Sequence, residues 1–283
     1  MPACWPPSVA NVPGPYVLGA TGGSGTRVFA RIVRHAAMFV GTHLNVSDDS
    51  LFFGDYSDRW IDSLMNAAGS PSNHLHTAMV RDLATTVGQH LSPLLAEPRD
   101  ARWRAWGWKE PRSLFLLPFL HGQFPELKFV HVIRDGRDMA YSTNQNQLRK
   151  HGHTLLTPEE STWAPPLRSM ALWTRLNIQR ADYGETHLRD RYLRLRFEDL
   201  CRAPHPTIAR MLHFLGLQAD IEDVARLEVS PPPTLGRWQT QASMQIAELH
   251  RIGHVALERF GYLTAEGQRR SSVAMRPPSE TGS

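Results

Sequence analysis

The sequence predicts an α/β fold: a single domain with a central, mostly parallel sheet and helices on both faces. Apolar segments typical of buried strands occur at residues 16–18, 128–133 and 192–197, and helical patterns follow or separate them. Strands that alternate with helices usually form a parallel sheet, because a parallel crossover needs a long return connection. In such sheets ligands bind at the carboxyl ends of the strands. We therefore expect the functional site at that edge.

Composition sets the boundaries of this domain. The chain has 283 residues, of which 41% are apolar and 20% charged, as in ordinary globular proteins. We expect a flexible N-terminal segment at 1–14, one α/β domain at 15–264, and a disordered, polar tail at 265–283. No apolar stretch reaches the roughly 20 residues that span a bilayer, and the start lacks the features of a signal peptide. We therefore expect a cytoplasmic protein with no membrane span, in which Cys4 and Cys201 remain reduced.

The first strand leads into a glycine-rich loop, in the segment PYVLGATGGSGTRVFAR. Backbone N–H groups in such a loop can converge on an anion, and the N-terminus of the following helix adds its positive dipole end. A Walker A loop requires G-x-x-x-x-G-K-[ST]. Here Thr26 follows Gly25, and Gly19 lies six positions before Gly25 instead of five. The loop therefore predicts a P-loop-type phosphate site without the lysine of nucleotide triphosphatases, although alone it could equally be a packing turn. The residues of this site are Gly22, Gly23, Ser24, Gly25, Thr26 and Arg27.

The second strand ends in a second basic turn. Residues 128–133 enter the sequence RDGRD, and Ser142 lies eight positions after Arg134. This spacing lets a strand-end arginine and a hydroxyl of the first helical turns meet on one ligand. Two anion sites predict a ligand with two separated phosphates. The alternative is that Arg134 only pairs with Asp138 in the first helical turn.

The remaining elements complete the predicted layout. The third strand alternates apolar and basic residues, which indicates that one face is less fully covered. A proline-rich loop occupies residues 228–242. Helices are expected at about 77–95, 111–123, 165–183 and 243–260, the last ending at Gly261.

Five segments, in order, resemble sulfotransferases that use 3′-phosphoadenosine 5′-phosphosulfate (PAPS), of the bacterial P-loop type. The first loop is similar to their 5′-phosphosulfate loop, and residues 132–137 with Ser142 are similar to their 3′-phosphate motif. Residues 108–112, WKEPR, resemble the Lys-acid-Pro stretch of tyrosylprotein and bacterial members. Residues 196–200, RFEDL, resemble an Arg-Tyr-Glu-Asp-Leu strand end, and residues 235–238, LGRW, resemble the late loop that closes over the cofactor. The likeness extends from residue 16 to about 262.

The resemblance implies a reaction and its residues. The reaction is transfer of a sulfonate group from PAPS to a hydroxyl or amine of an acceptor, with adenosine 3′,5′-bisphosphate (PAP) as product and no metal required. Lys109 matches the catalytic lysine. The loop would hold the 5′-phosphate, and Arg134 with Ser142 the 3′-phosphate. Further cofactor contacts are expected from Arg196, Gly236, Arg237 and Trp238.

The catalytic base in this family is a histidine or a carboxylate. Residues 41–60 offer four candidates after the first helix, and Glu110, next to Lys109, is a fifth. Tyrosylprotein members draw their base from the segment after the loop helix, which favours residues 41–60 here. The four candidates are His43, Asp48, Asp49 and Asp55. We choose Asp49. One departure is Gly23, where many members have an arginine or lysine that contacts the sulfonate; Arg27 is a possible replacement.

Two other function classes remain open at this stage. A P-loop kinase would need a lysine in the loop, which is missing. A non-catalytic nucleotide- or RNA-binding protein would fit the pI of about 9.3, but the arginines are scattered and balanced by 27 acidic residues. We expect a small-molecule or carbohydrate acceptor, no nucleic-acid partner and a possible homodimer. Some tryptophans could line the acceptor pocket: Trp60, Trp103, Trp106, Trp108, Trp163 and Trp173.

Overall fold

A five-stranded, fully parallel sheet forms the centre of the described part of the chain. The structure, a computed structural model, describes residues 12–67, 71–96 and 103–263. The strand order is β2-β3-β1-β4-β5. The strands are β1 Tyr16–Ala20, β2 Met38–Phe39, β3 Ala105–Lys109, β4 Lys128–Ile133 and β5 Tyr192–Arg196. The sequence prediction of a parallel α/β sheet is confirmed. The expected tail at 265–283 and most of the segment 1–14 lie outside the described residues.

Helices cover both faces of this sheet. The α-helices of the described residues are α1 Thr26–His35, α2 Leu51–Asn66, α3 Asn73–Ala96, α4 Leu117–Gln123, α5 Gly136–Ala140, α6 Asn146–His151, α7 Pro165–Tyr183, α8 Phe197–Arg202, α9 Pro204–Leu215, α10 Ile221–Glu228 and α11 Ser243–Arg259. Alternate residues of each strand point to opposite faces. Val17 packs in one core with α2, α3, α4 and α7. Leu18 packs in the other with α1, α9 and α10.

Two predicted helices have different bounds in the structure. The helix expected at 77–95 is the longer α3, and the stretch 111–123 is not one helix. A 3₁₀ turn at Pro111–Leu114 precedes α4. Pro118 lacks the N–H that a continuous helix would need, and the Glu110 carboxylate accepts a hydrogen bond from the N–H of Arg112 at the start of the turn. The helices expected at 165–183 and 243–260 are confirmed within a residue.

Strand β3 has no counterpart among the predicted elements, yet it positions Lys109. Its five residues, AWGWK, are all buried, and it lies between β2 and β1. A Cβ atom on Gly107 would lie 1.8 Å from the carbonyl oxygen of Tyr16, so only glycine allows the two strands to approach this closely. Among the described residues, no helix is both long enough and apolar enough to cross a membrane.

Candidate active site

A cavity of about 640 Å³ opens at the carboxyl ends of the central strands. Three structural elements meet in its wall: the glycine-rich loop after β1, Lys109 at the end of β3, and Arg134 just after β4. This is the edge at which the parallel topology predicts a ligand site. Five of the six predicted loop residues line the cavity: Gly22, Gly23, Gly25, Thr26 and Arg27.

The loop has the backbone conformation of an anion site. Gly23 and Gly25 have φ angles of 85° and 76°, in the left-handed region that favours glycine. Helix α1 begins at Thr26, and no side chain caps its first N–H groups. Gly25 also needs its small size, because a Cβ there would lie 2.3 Å from the ring of Phe197. These N–H groups at the start of α1 are therefore available to a phosphate.

Ser24 supports the loop from behind. It is 1% exposed, and its hydroxyl donates to the carbonyl oxygen of Thr21 at 2.6 Å. Ser24 does not line the cavity. Its hydroxyl fixes the turn, and the ligand contact that the sequence predicts for Ser24 stays a prediction.

Arg134 joins three parts of the site. It is only 4% exposed. Its guanidinium donates to Asp138 at 3.1 Å, to the carbonyl oxygen of Thr234 at 2.7 Å and to that of Gly23 at 3.4 Å. The pairing with Asp138 that we considered as an alternative therefore exists, and Arg134 lines the cavity as well. One side chain links α5, the phosphate loop and the late loop.

Ser142 approaches the same glycine as Arg134. Its hydroxyl oxygen lies 3.3 Å from the position that a Cβ on Gly23 would occupy, and it accepts a hydrogen bond from the N–H of Asn144 at 3.2 Å. The structure thus brings Arg134 and Ser142 to the same glycine, but Ser142 does not line the cavity, and the binding of one ligand by both residues stays a prediction.

Lys109 lies in the cavity wall and is 2% exposed. Its ammonium group donates to the carboxylate of Asp49 and, at 2.8 Å, to the carbonyl oxygen of Ser47. Asp49 is in turn held by Asn45, whose side-chain amide donates to it at 2.9 Å. Two residues predicted to be catalytic from separate parts of the sequence, Lys109 and Asp49, are therefore direct partners.

Glu110 points to a different set of partners. Its carboxylate caps the 3₁₀ turn at Arg112 and pairs with the Arg112 guanidinium at 2.7 Å. Burial raises the pKa of Glu110, while the positive charge of Arg112 opposes that rise. Arg112 also contacts Asp58 and donates to the carbonyl oxygen of Gly54 at 3.1 Å, so this group ties β3 to α2.

Three of the candidate residues lie beside the cavity and do not line it. The ring of His43 packs on Phe52 with centroids 4.9 Å apart. Asp48 pairs with Arg31 at 3.1 Å. Arg196 donates to the carbonyl oxygen of Gly261 at 3.1 Å.

The late loop reaches the cavity through residues that the sequence did not single out. Pro232 and Thr234 line it, whereas Gly236, Arg237 and Trp238 lie just behind. The backbone N–H groups of Gly236 and Trp238 donate to the Asp138 carboxylate at 2.8 and 3.3 Å. Arg237 donates to the carbonyl oxygen of Tyr141 at 3.2 Å, and Trp238 stacks on a neighbouring arginine. These three residues fasten the loop, which faces Arg134.

On one side of the lining, sequence reasoning had singled out Asp55 alone, as a candidate base. This side comes from α2 and from the segment around α6: Gly54, Asp55, Asp58, Asn144, Asn146, Gln147 and Lys150. The polar run NQNQ at 144–147 was the available signal. The tryptophan hypothesis is wrong for Trp106, Trp108 and Trp173, which are at most 4% exposed and belong to the cores. Among the described residues, the cavity lining contains no tryptophan.

Comparison with known proteins identifies the family. A model of the Sulfotransferase family matches residues 28–222, more than half of the chain, and includes Lys109, Arg134 and Ser142. A search of curated protein sequences finds no match. The sulfotransferase domain of the Synechococcus PCC 7002 olefin synthase is 15% identical with a TM-score of 0.51, over 90% of this chain and 97% of that one. The sulfotransferase domain from the curacin biosynthetic pathway is 16% identical with a TM-score of 0.48, over 87% of this chain and 98% of that one.

At 15% identity, the likeness to the olefin synthase domain supports the fold alone. The family match supports more, because it covers the strands and turns that bring the central lysine and the second basic turn to the cavity. The chain is therefore an enzyme that belongs to the sulfotransferase family.

Proposed function

We propose that this enzyme transfers the sulfonate group of PAPS to a hydroxyl or amine of a small-molecule or carbohydrate acceptor and releases PAP. The observation that supports this most directly is the meeting of Lys109, the phosphate loop and Arg134 in one cavity. The P-loop kinase and RNA-binding alternatives lose their support, because the chain belongs to the sulfotransferase family and Lys109 comes from β3, not from the loop.

The residues present fit a donor with two phosphate groups. The uncapped start of α1 and the glycine loop suit the 5′-phosphate. Arg134 and Ser142 suit the 3′-phosphate, because a guanidinium and a hydroxyl both donate to phosphate oxygens. Arg27 lines the cavity, and its guanidinium donates to the Ser47 hydroxyl at 3.2 Å. Lys109 donates to the carbonyl oxygen of the same serine, so the two cations lie close together. Arg27 is therefore the proposed replacement for a basic residue at position 23.

When bound, PAPS supplies an activated sulfonate. Lys109 would donate a hydrogen bond to the oxygen between the sulfur and the 5′-phosphate, where negative charge grows as that bond breaks. The acceptor oxygen forms the new bond to sulfur, and its proton passes to a base. Lys109 contributes to this step only after its ammonium group has turned away from Asp49.

Asp49 is the base that we propose. Its side chain is 18% exposed, lines the cavity and loses its cationic partner once Lys109 engages the donor. Glu110 is less suited, because it already caps a turn and pairs with Arg112. His43 and Asp48 do not line the cavity, and Asp55 lines it but, unlike Asp49, has no contact with Lys109. General-base catalysis by a positioned carboxylate typically contributes about 10² to 10⁴ in rate.

Titration calorimetry with PAP tests the donor site. We expect the wild type to bind, Arg134→Ala to weaken binding by about tenfold or more, or roughly 1.4 kcal/mol, and Thr26→Val to weaken it without loss of fold. Arg226→Ala on the exposed side of α10 is the matched control. Circular dichroism of each variant checks folding, because Arg134 is buried. Thermal shifts with ATP and magnesium, or with an RNA oligomer, should be smaller than with PAP. Absence of PAP binding by the wild type would overturn the proposal.

A further inference from the structure

The cavity has two sides of different charge, with Lys109 between them. On the side of the phosphate loop, three arginines face the space: Arg27, Arg31 and Arg134. On the other side, the wall comes from α2, from Arg112 and from the segment around α6. The first side suits the phosphates of the donor, so the second side is left for the acceptor.

Most charges on the acceptor side already have partners. Asp58 pairs with Arg112 and, at 2.8 Å, with Lys150. Arg112 pairs with Glu110 at 2.7 Å as well. An anionic acceptor would therefore have to compete with Asp58 and Glu110 for these cations.

Asp55 is the exception on this side. It lines the cavity one turn before Asp58 on α2, so both carboxylates lie on the same face of the helix. Within the described ranges, the carboxylate of Asp55 has neither a hydrogen bond nor an ion pair, and the residue is exposed. The acceptor side therefore has one carboxylate without a cation, and a positively charged group would complement it.

The rest of the acceptor side is polar. Asn144 and Asn146 contribute amide N–H groups that can donate to hydroxyls, whereas the Gln147 amide donates to the carbonyl oxygen of Ala20 and lies against Gly22 of the phosphate loop. The one aromatic ring in the described lining is Phe197, which packs against Gly25 and Arg134 on the donor side. A flat phenol or steroid would find no ring to stack on, whereas a sugar would find hydrogen-bonding groups.

We infer that the acceptor is a polyhydroxylated molecule that has a protonated amine, of the amino-sugar class, and that Asp55 recognises the amine. This inference rests on the proposed function. Transfer occurs to a hydroxyl of the acceptor: the new bond forms between that oxygen and sulfur, the bond from sulfur to the 5′-phosphate breaks, and the hydroxyl proton passes to Asp49. Asp55 binds the ammonium group and takes no proton.

Four acceptors that differ in charge and shape test the inference, at a pH below the pKa of the amine. D-Glucosamine and D-glucose have nearly the same shape but differ in charge, D-glucuronate is anionic, and 4-nitrophenol is flat. We expect kcat/KM with PAPS to be about tenfold higher for glucosamine than for glucose, which corresponds to roughly 1.4 kcal/mol, and lowest for glucuronate and the phenol.

Variants then assign this preference to a residue. Asp55→Asn should lower kcat/KM for glucosamine to the value for glucose and leave glucose unchanged. Asp190→Asn is the matched control, because Asp190 is exposed and lies away from the cavity; it should retain the preference. Three outcomes would each overturn the inference. The first is an equal loss for both sugars in Asp55→Asn, and the second is a wild type that prefers glucose, glucuronate or the phenol. The third is no turnover of any sugar by a protein that binds PAP. Failure to bind PAP would instead remove the proposed function, and the inference with it.

Discussion

Lys109 and Asp49 form an ion pair in the wall of the cavity, where the lysine also donates to the carbonyl oxygen of Ser47 at 2.8 Å. The pair is asymmetric: Lys109 is 2% exposed, whereas the side chain of Asp49 is 18% exposed. Asn45 holds Asp49 in place with two hydrogen bonds. Its side-chain NH₂ group donates to the Asp49 carboxylate, and its side-chain oxygen accepts from the backbone N–H of Asp49 at 3.0 Å. Under the proposed function, a lysine that leaves this pair for the donor would free a fixed carboxylate, so one exchange would supply both the hydrogen-bond donor and the base.

Asp49→Asn should have opposite effects on binding and on turnover. Removal of the carboxylate leaves Lys109 without its anionic partner, so PAP should bind at least as tightly as to the wild type, and more tightly at low salt. Turnover should fall by about 10² to 10⁴, because the asparagine cannot accept the proton. Calorimetry with PAP and a sulfonyl-transfer assay with PAPS measure the two effects.

The adjacent aspartate provides the control for this variant. Asp48 pairs with Arg31, does not line the cavity and has a φ angle of 60°, which asparagine adopts readily. Asp48→Asn should change turnover by less than about threefold, well under 1 kcal/mol. If Asp49→Asn retained full turnover, Asp49 would not be the base.

Lys109→Met should lower turnover more than it lowers affinity. The methionine keeps much of the buried volume but cannot donate to the breaking bond, and loss of one such donor typically costs about 10² to 10³ in kcat. PAP affinity should change by less than about tenfold, since the loop and Arg134 remain. Lys128→Met, at the start of β4, is the matched control. Equal losses in affinity and turnover would contradict a role confined to the transition state.

The sequence predicted the ligand-binding turns that follow the strands better than it predicted the strands themselves. The glycine loop and the second basic turn have local signals, because their function depends on residue types at fixed spacing. Strand β3 lacked such a signal: its glycine and two tryptophans are explained by contact with β1 and by the core, which only the folded chain shows. The Lys109–Asp49 pair joins residues 60 positions apart, and the polar wall of α2 and α6 depends on their packing, so neither could be derived from spacing.

Alanine substitutions at Gly23 and Gly216 distinguish the effect of backbone strain on stability from an effect on ligand binding. Both glycines have positive φ angles, 85° and 70°, so an alanine at either position costs about 1 to 2 kcal/mol of stability. A Cβ on Gly216 would meet nothing within 4 Å, whereas one on Gly23 would lie 3.2 Å from Met139 and 3.3 Å from Ser142. Gly23→Ala should therefore also weaken PAP binding, and Gly216→Ala should not. Thermal unfolding and calorimetry of the two variants check this, and equal PAP affinities would contradict a role of the Gly23 surroundings in the donor site.

His90 should make the protein less stable as the pH falls below neutrality. Its imidazole is 2% exposed, donates to the carbonyl oxygen of Gly107 on β3 at 2.8 Å and packs edge-on to Phe53. Burial lowers the pKa of His90 from 6.5 to about 4, with the Gly107 hydrogen bond acting in the opposite direction. Between these values the unfolded chain binds a proton that the folded chain does not, so the free energy of unfolding falls as the pH falls.

The expected slope from His90 alone is about 1.4 kcal/mol per pH unit over this window. His90→Gln removes this titration, so the measurement is the difference between the slopes of wild type and variant in denaturant unfolding from pH 6.5 to about 4. Burial also raises the pKa of Glu110 and Glu198, so these two groups make the free energy of unfolding rise as the pH falls. Burial lowers the pKa of His131, which acts in the same direction as His90. All three groups are present in both proteins, so their contributions cancel in the difference. Identical slopes would mean that His90 binds its proton over the same pH range in the folded protein as in the unfolded chain. That result would contradict a lowered pKa for the buried ring.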